Sequence, residues 1–254
     1  MVFVREPRAR MLTLGAISRR ALHTLLPVSC ASCAIVLTDD PVPFFCRRCW
    51  ETVRPLSHPQ CPKCGRPFAS SVALQFSPQH LCGECRKRRP AYTRARSLYA
   101  YEGTLKDAIR LFKYRGKVAL SAALGALMKE FCGDMEGLDL VMPVPLHAVR
   151  LREREFNQAL LLADQVSRWH GLRLSYKNLI RVRATTPQTT LSRARRRKNL
   201  RRSFALRDPT EVSGRRVLLM DDVFTTGTTV NECAKALRKA GSSDVYVLTL
   251  ARTV

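Results

Sequence analysis

Val217-Leu218-Leu219-Met220-Asp221-Asp222-Val223-Phe224-Thr225-Thr226-Gly227-Thr228-Thr229-Val230 is the stretch that decides the fold. Four consecutive apolar residues with no polar alternation describe a strand buried on both faces. Two carboxylates follow at its C-terminal edge, where open α/β sheets bind ligands. A Thr/Gly turn then opens a helix, with a capping box over Thr229 to Glu232 and a stop at Gly241. Backbone N–H groups at a helix N-terminus, flanked by threonine hydroxyls, form an anion site. Gly227 permits close backbone approach. The carboxylates lie one loop from that anion, within reach of ribose hydroxyls. The plainer alternative is a strand ending in an Asx turn before a capped helix, with no ligand. A Walker A loop is excluded, because Gly-Lys-Thr/Ser is absent here.

Working outward, residues 91–254 alternate between strand-like and helix-like segments. Strands are expected over Arg96 to Tyr101, Leu138 to Val144, Arg216 to Met220 and Asp244 to Leu250. Helices are expected over Leu105 to Phe112, Ala119 to Phe131, Leu151 to Trp169 and Thr229 to Ala240. Such alternation specifies a mostly parallel α/β sheet flanked by helices. Residues 30–90 differ in texture: they hold eight of the ten cysteines and eight of the fourteen prolines. Residues 1–29 read as an Arg-rich tail and a short amphipathic helix over 12–26, with Met11 an alternative start. The expected organisation is therefore 1–29, 30–90 and 91–254.

The cysteines form four C-x-x-C pairs: Cys30/Cys33, Cys46/Cys49, Cys61/Cys64 and Cys82/Cys85. Two residues between thiolates let one tight turn aim both sulfurs at a tetrahedral ion, and two turns complete a four-thiolate zinc site. Two structural zinc ions are expected. Chain order favours consecutive pairing, and a crossed arrangement remains open. A disulfide framework would need an oxidising compartment and a secretory signal, which Arg19 and Arg20 interrupt. Iron–sulfur ligation usually shows other spacings. Haem attachment would need a His after a pair, and none follows. Cys132 and Cys233 read as ordinary buried thiols.

The stretch around Asp221 resembles the phosphoribosyl-pyrophosphate (PRPP) loop of type I phosphoribosyltransferases. Val141-Met142-Pro143-Val144-Pro145-Leu146, Arg152 and Arg154-Glu155-Phe156-Asn157-Gln158-Ala159 resemble segments of ComF proteins, with Glu155 where that family has Gly. Gln188, Leu191-Ser192, Arg196, Arg197 and Asn199 resemble a further ComF segment. With the cysteine pairs, the chain is identified as a member of the ComF family over residues 28–253. The resemblance implies a type I phosphoribosyltransferase fold with an N-terminal double zinc ribbon. It implies that Asp221 and Asp222 are the catalytic pair, binding the ribose 2′- and 3′-hydroxyls. Thr225, Thr226, Gly227, Thr228 and Thr229 would cradle the 5′-phosphate. Pro143, Val144 and Pro145 would face pyrophosphate, with Mg²⁺ bridging pyrophosphate and ribose oxygens.

Charge bears on the ligand. The chain carries 44 basic and 20 acidic residues, a net +24, which fits a polyanionic partner. Arg193, Arg195, Arg196, Arg197 and Lys198 form a run with no acid among them. Three readings compete: a mobile loop over pyrophosphate, a nucleic-acid contact, or a solvated helix face. Tyr92, Tyr99, Tyr101, Phe112 and Tyr114 are the nearest stacking candidates by sequence. No apolar run is long enough to span a bilayer. The expected role, supplied by the resemblance, is a cytoplasmic protein acting on single-stranded DNA in natural transformation or DNA use as nutrient, alongside other uptake proteins. The alternatives are an active phosphoribosyltransferase for a small acceptor and a PRPP-binding regulator without turnover.

Overall fold

The computed structural model describes residues 28–56, 59–129, 137–183, 200 and 202–254. The expected helix over 12–26, Cys132, the segment from Gln188 to Asn199, and Arg193, Arg195, Arg196, Arg197 and Lys198 within it lie outside those residues.

The cysteine-rich region contributes three short helices: α1 (Arg47–Trp50), α2 (Val72–Phe76) and α3 (Gly83–Lys87). There follow β1 (Arg94–Ala100), α4 (Gly103–Tyr114), α5 (Leu120–Ala126), β2 (Leu140–Pro143), α6 (Ala148–Arg154) and α7 (Gln158–His170). Next come β3 (Arg173–Leu174), β4 (Leu179–Arg181), β5 (Phe204–Leu206), β6 (Arg216–Phe224), α8 (Thr228–Lys239) and β7 (Asp244–Arg252). Five strands form one sheet in the order β1-β7-β6-β2-β3, every neighbouring pair parallel. The chain leaves β2 for β3 on one side and leaves β6 for β7 on the other. The carboxyl ends of β2 and β6 therefore flank a topological switch point, where such sheets open a crevice. β4 and β5 pair antiparallel as a separate two-stranded sheet.

The sheet divides two cores. On β6, Leu218 and Met220 join the core built with Leu105, Ile109 and Phe112 of α4 and Leu162 and Val166 of α7. Val217 and Leu219 join the core containing Val230, Cys233 and Leu237 of α8, Leu179 of β4 and Phe204 of β5. Each fully buried Leu, Ile or Phe contributes about 1.5–3 kcal/mol of apolar transfer, so this two-sided burial dominates cohesion. Cys30 and Cys46 belong to the first core, and Cys61, Cys64, Cys82 and Cys85 to the second. The cysteine region also covers the outer edge of β1. The Ala95 N–H donates to the Lys63 carbonyl at 2.8 Å, and the Leu56 N–H to the Leu98 carbonyl at 2.7 Å. An edge strand left open would be an aggregation template.

Four expectations change. The helix expected over Leu151 to Trp169 is two helices, broken at Glu155, which has φ +64°, and restarted at Asn157, whose side chain accepts the Ala159 N–H at 3.0 Å. The helix expected to reach Phe131 ends at Ala126. The strand expected to end at Met220 runs on to Phe224, so Asp221 and Asp222 lie within it. The capping box is not formed: Gly227 caps α8 without a side-chain bond, and Glu232 instead pairs with Lys235 at 2.6 Å and accepts the Arg202 N–H at 3.3 Å.

Candidate functional site

At the switch point, the ends of β2 and β6, the N-terminus of α8, the last turn of α4 and β4 surround a cavity of ≈ 310 Å³. Its lining includes Val144, Pro145 and Leu146 after β2, and Asp221, Asp222, Val223, Thr225 and Thr229 along β6 and the following loop. Lys113, Arg150, Arg154 and Arg181 supply the cations, with Tyr101, Tyr114 and Asn157 between them. Of the residues expected at the phosphate loop, Thr225 and Thr229 line the cavity. Thr226 and Thr228 bond each other through their hydroxyls at 2.8 Å and shape the turn. Pro143 is buried inside β2 and does not line the cavity. Of the stacking candidates, Tyr92 and Phe112 are core residues, 2% and 0% exposed.

Strand alternation sends Asp221 and Asp222 to opposite faces of the sheet. Asp222 points toward α4 and meets Lys113, whose Nζ is 2.7 Å from its Oδ1. Burial alone would lower the Lys113 pKa. The charge and hydrogen bond of Asp222 outweigh it, so the ammonium is held above its ordinary range. Asp221 accepts the Asp222 N–H at 2.9 Å. Burial and then the neighbouring Asp222 charge push its carboxyl up to about 7, against the pull of Lys113. Lys113, Arg150 and Arg181 are not singled out by sequence. A signal for Lys113 exists: it falls four residues after buried Ile109 on the apolar stripe of α4, a costly place for a cation without a partner.

Two further features set the rim. Asn157 donates from Nδ2 to the Val144 carbonyl at 3.1 Å, tying the loop after β2 to the start of α7. Arg154 is oriented by Gln158 Oε1 at 3.2 Å and lies over the Tyr114 ring, 5.0 Å from its centroid. Tyr114 is nonetheless 60% exposed, an uncommon state for an aromatic beside a crevice.

The eight paired cysteines converge as Cys30, Cys33, Cys46, Cys49 and as Cys61, Cys64, Cys82, Cys85, each set with its sulfurs within 4.8 Å of one another. Consecutive pairing is thus the observed one. The Cys33–Cys46 and Cys64–Cys82 sulfurs are 3.7 and 3.6 Å apart. A tetrahedron of ~2.3 Å Zn–S bonds has edges of about 3.8 Å, whereas a disulfide needs about 2.05 Å. Backbone N–H groups of Cys46 and Cys82 donate to the sulfurs of Cys30 and Cys61, both at 3.4 Å, as they would to thiolates. Burial raises the Cys30 thiol, but backbone N–H donors led by that of Cys46 bring it down to about 6. Crowding by Cys61 pushes Cys64 up to about 11. A dication among the four sulfurs relieves that conflict, so both clusters fit closed structural zinc sites.

Comparison with known families matches residues 21–86 to the double zinc ribbon domain and residues 157–253 to the phosphoribosyl transferase domain. Competence protein F of Haemophilus influenzae is 35% identical over 214 residues, 82% of this chain and 90% of that protein. DNA utilization protein YhgH of Escherichia coli K12 is 33% identical over 201 residues, 76% of this chain and 84% of that protein. Competence protein ComFC of Bacillus subtilis is 26% identical, covering 82% and 84%. Among solved structures, the glutamine PRPP amidotransferase from B. subtilis overlaps 51% of this chain and 25% of its own, at 23% identity and a TM-score of 0.35.

Proposed function

The chain belongs to the family of competence protein F and the DNA utilization proteins, and from that premise we propose that it binds PRPP or the ribose-phosphate unit of a nucleic acid, and with it single-stranded DNA, in DNA uptake or the use of DNA as nutrient. Residues 30–90 are its metal module and residues 91–254 its ligand domain. The carrying observation is the convergence on one cavity of Asp221, Asp222, Thr225 and Thr229 with Lys113, Arg150, Arg154 and Arg181. The α8 N-terminus and the threonines suit a 5′-phosphate. The carboxylates suit ribose hydroxyls, and with ligand oxygens they complete the donor set Mg²⁺ takes. The three arginines suit pyrophosphate or successive backbone phosphates. Tyr114, with Arg154 behind one face of its ring, offers a nucleobase a stacking platform.

The test compares PRPP with a short single-stranded DNA. Wild type binds both, and DNA affinity falls steeply with salt: about five phosphate contacts predict roughly a 100-fold loss between 50 and 200 mM. Tyr114→Ala weakens DNA at least about fivefold, Tyr114→Phe restores it, and PRPP, which has no base, is held equally by all three. DNA binding that ignores salt, or a Tyr114→Ala loss equal for both ligands, sinks the polymer reading.

One observation favours a second reading, phosphoribosyl transfer to a small acceptor. Asp221 lines the cavity beside Lys113 and the arginines, and burial pushes its carboxyl up to about 7, which together suit general acid–base work. Pyrophosphate release from PRPP, abolished by Asp221→Ala with Asp222→Ala, supports that reading; PRPP binding without release supports a regulator.

A further inference from the structure

Between the second cysteine cluster and the phosphate loop runs a short chain of contacts that neither site needs on its own account. Arg252 closes β7 and is 2% exposed, a rare state for a guanidinium. Its Nη1 donates to the Cys64 carbonyl at 2.7 Å, in the cluster's first C-x-x-C turn. The same guanidinium lies over the Phe224 ring, 5.0 Å from its centroid. Tyr92 meets that ring edge-on at 6.4 Å. The Cζ end of the ring is pressed against Gly227: a Cβ built there would stand 2.5 Å from Phe224 Cζ. Gly227 is the N-cap of α8, at φ +71°, in the middle of the Thr225–Thr229 loop. A second tie runs alongside, from the Ala91 N–H after the cluster to Asn231 Oδ1 in the first turn of α8, at 2.8 Å.

We propose that Arg252 and Phe224 are positioning residues that lock the Thr225–Thr229 loop onto the Cys61/Cys64/Cys82/Cys85 cluster, so that zinc there and a phosphate at the loop strengthen each other's binding. The lock stands on contacts alone, and the phosphate half rests on the function proposed above. The chemistry suits a guanidinium and not an ammonium. Its plane stacks on the ring while its edge bonds the carbonyl, and Lys cannot do both. Zinc fixes the turn that presents the Cys64 carbonyl; the turn fixes Arg252; Arg252 packs on the ring, and the ring's Cζ end packs on Gly227. A loop held in this way has less conformational freedom to lose when a phosphate binds. Linkage makes the coupling reciprocal: bound phosphate must tighten zinc binding by the same free energy.

The experiment uses the full chain with both zinc ions, as wild type, Arg252→Lys and Phe224→Leu. Amide exchange over residues 225–231 is followed without ligand, and zinc affinity is measured by equilibrium competition with a chromogenic chelator, with and without PRPP and Mg²⁺. With two zinc ions retained, both variants are expected to exchange at least about fivefold faster in that segment, and PRPP is expected to tighten binding of one zinc about fivefold in wild type only. Unchanged exchange in both variants overturns the lock. Should Arg252→Lys shed zinc, Phe224→Leu, whose side chain makes no bond to the cluster, decides alone. Equal zinc affinity with and without bound PRPP overturns the coupling. Calorimetry that finds no PRPP binding to wild type overturns the phosphate half together with the function proposed above, while the ligand-free exchange still decides the lock.

Discussion

At the scale of single residues, the site turns on two carboxylates whose surroundings differ. Asp222 is 7% exposed and has its cation at 2.7 Å. Removing one partner of a buried pair strands the other, so Lys113→Met should cost about 3 kcal/mol in urea unfolding. Adding Asp222→Leu should recover most of that, because an apolar pair of similar volume is tolerated where a lone charge is not. Failure of the second change to rescue would mean that Lys113 packs rather than pairs. Asp221 has the opposite character. Its folded pKa of about 7 lies above the ordinary 3.8, so the fold binds that proton more tightly than the unfolded chain does. Ligand-free stability should therefore fall as pH rises from about 4 through about 7, and Asp221→Asn should flatten that slope. Ligand binding runs the other way. If only the carboxylate holds ribose and Mg²⁺, affinity climbs up to tenfold per pH unit below about 7 and levels off above it. Calorimetric titration of PRPP across that range checks the sign.

Elements were legible from sequence where burial is two-sided and blurred where the backbone turns. The run Val217 to Met220 read correctly as a buried strand, because apolar continuity is a strong signal, but its end did not: the strand continues through Asp221-Asp222 to Phe224, where the apolar pattern stops marking it. The break between α6 and α7 was not legible. Apolar residues keep helical spacing across it, and only the left-handed Glu155 interrupts the chain. A backbone at φ +64° is one that Gly adopts without strain. The β4–β5 pair escaped because strands of three residues leave no periodicity to read. Lys113 and the arginines reach the site from separate elements, a convergence that only topology creates. These backbone features rank three variants. Glu155→Gly should stabilise by about 1 kcal/mol by relieving a left-handed non-glycine residue. Gly171→Ala, at φ +62° with nothing within 4 Å, should cost about 1 kcal/mol from strain alone. Gly227→Ala adds the collision with Phe224 to that strain, so it should cost more and lose PRPP affinity tenfold or worse. Denaturation midpoints for the three, with PRPP titrations, test the order.

At the scale of the whole molecule, the cysteine clusters are parts of the two cores that clasp the sheet. The first is tied to α4 by Ser32 Oγ donating to Asp107 Oδ2 at 3.0 Å and by the Thr52–Thr104 hydroxyl pair at 3.3 Å; α4 carries Lys113 to Asp222. The second reaches β7 and the phosphate loop through Arg252. The site is thus braced from both faces by metal-organised turns, and its geometry should not outlast the metals. Metal analysis should find two zinc ions per chain. The zinc-loaded protein should unfold in one calorimetric transition, because neither core can close without its cluster. Structural zinc contributes on the order of 10 kcal/mol of apparent folding free energy. Since 1 kcal/mol moves the midpoint of a chain of this size by about 2–4 °C, chelation should lower it by well over 10 °C and abolish PRPP binding with it. Two transitions, with the upper one and PRPP affinity indifferent to chelator, would mean that the ribbons are a detachable module. The bonds from Lys63 and Leu56 across the β1 edge argue against that outcome: stripping the ribbons would bare an edge strand and open both cores in one event.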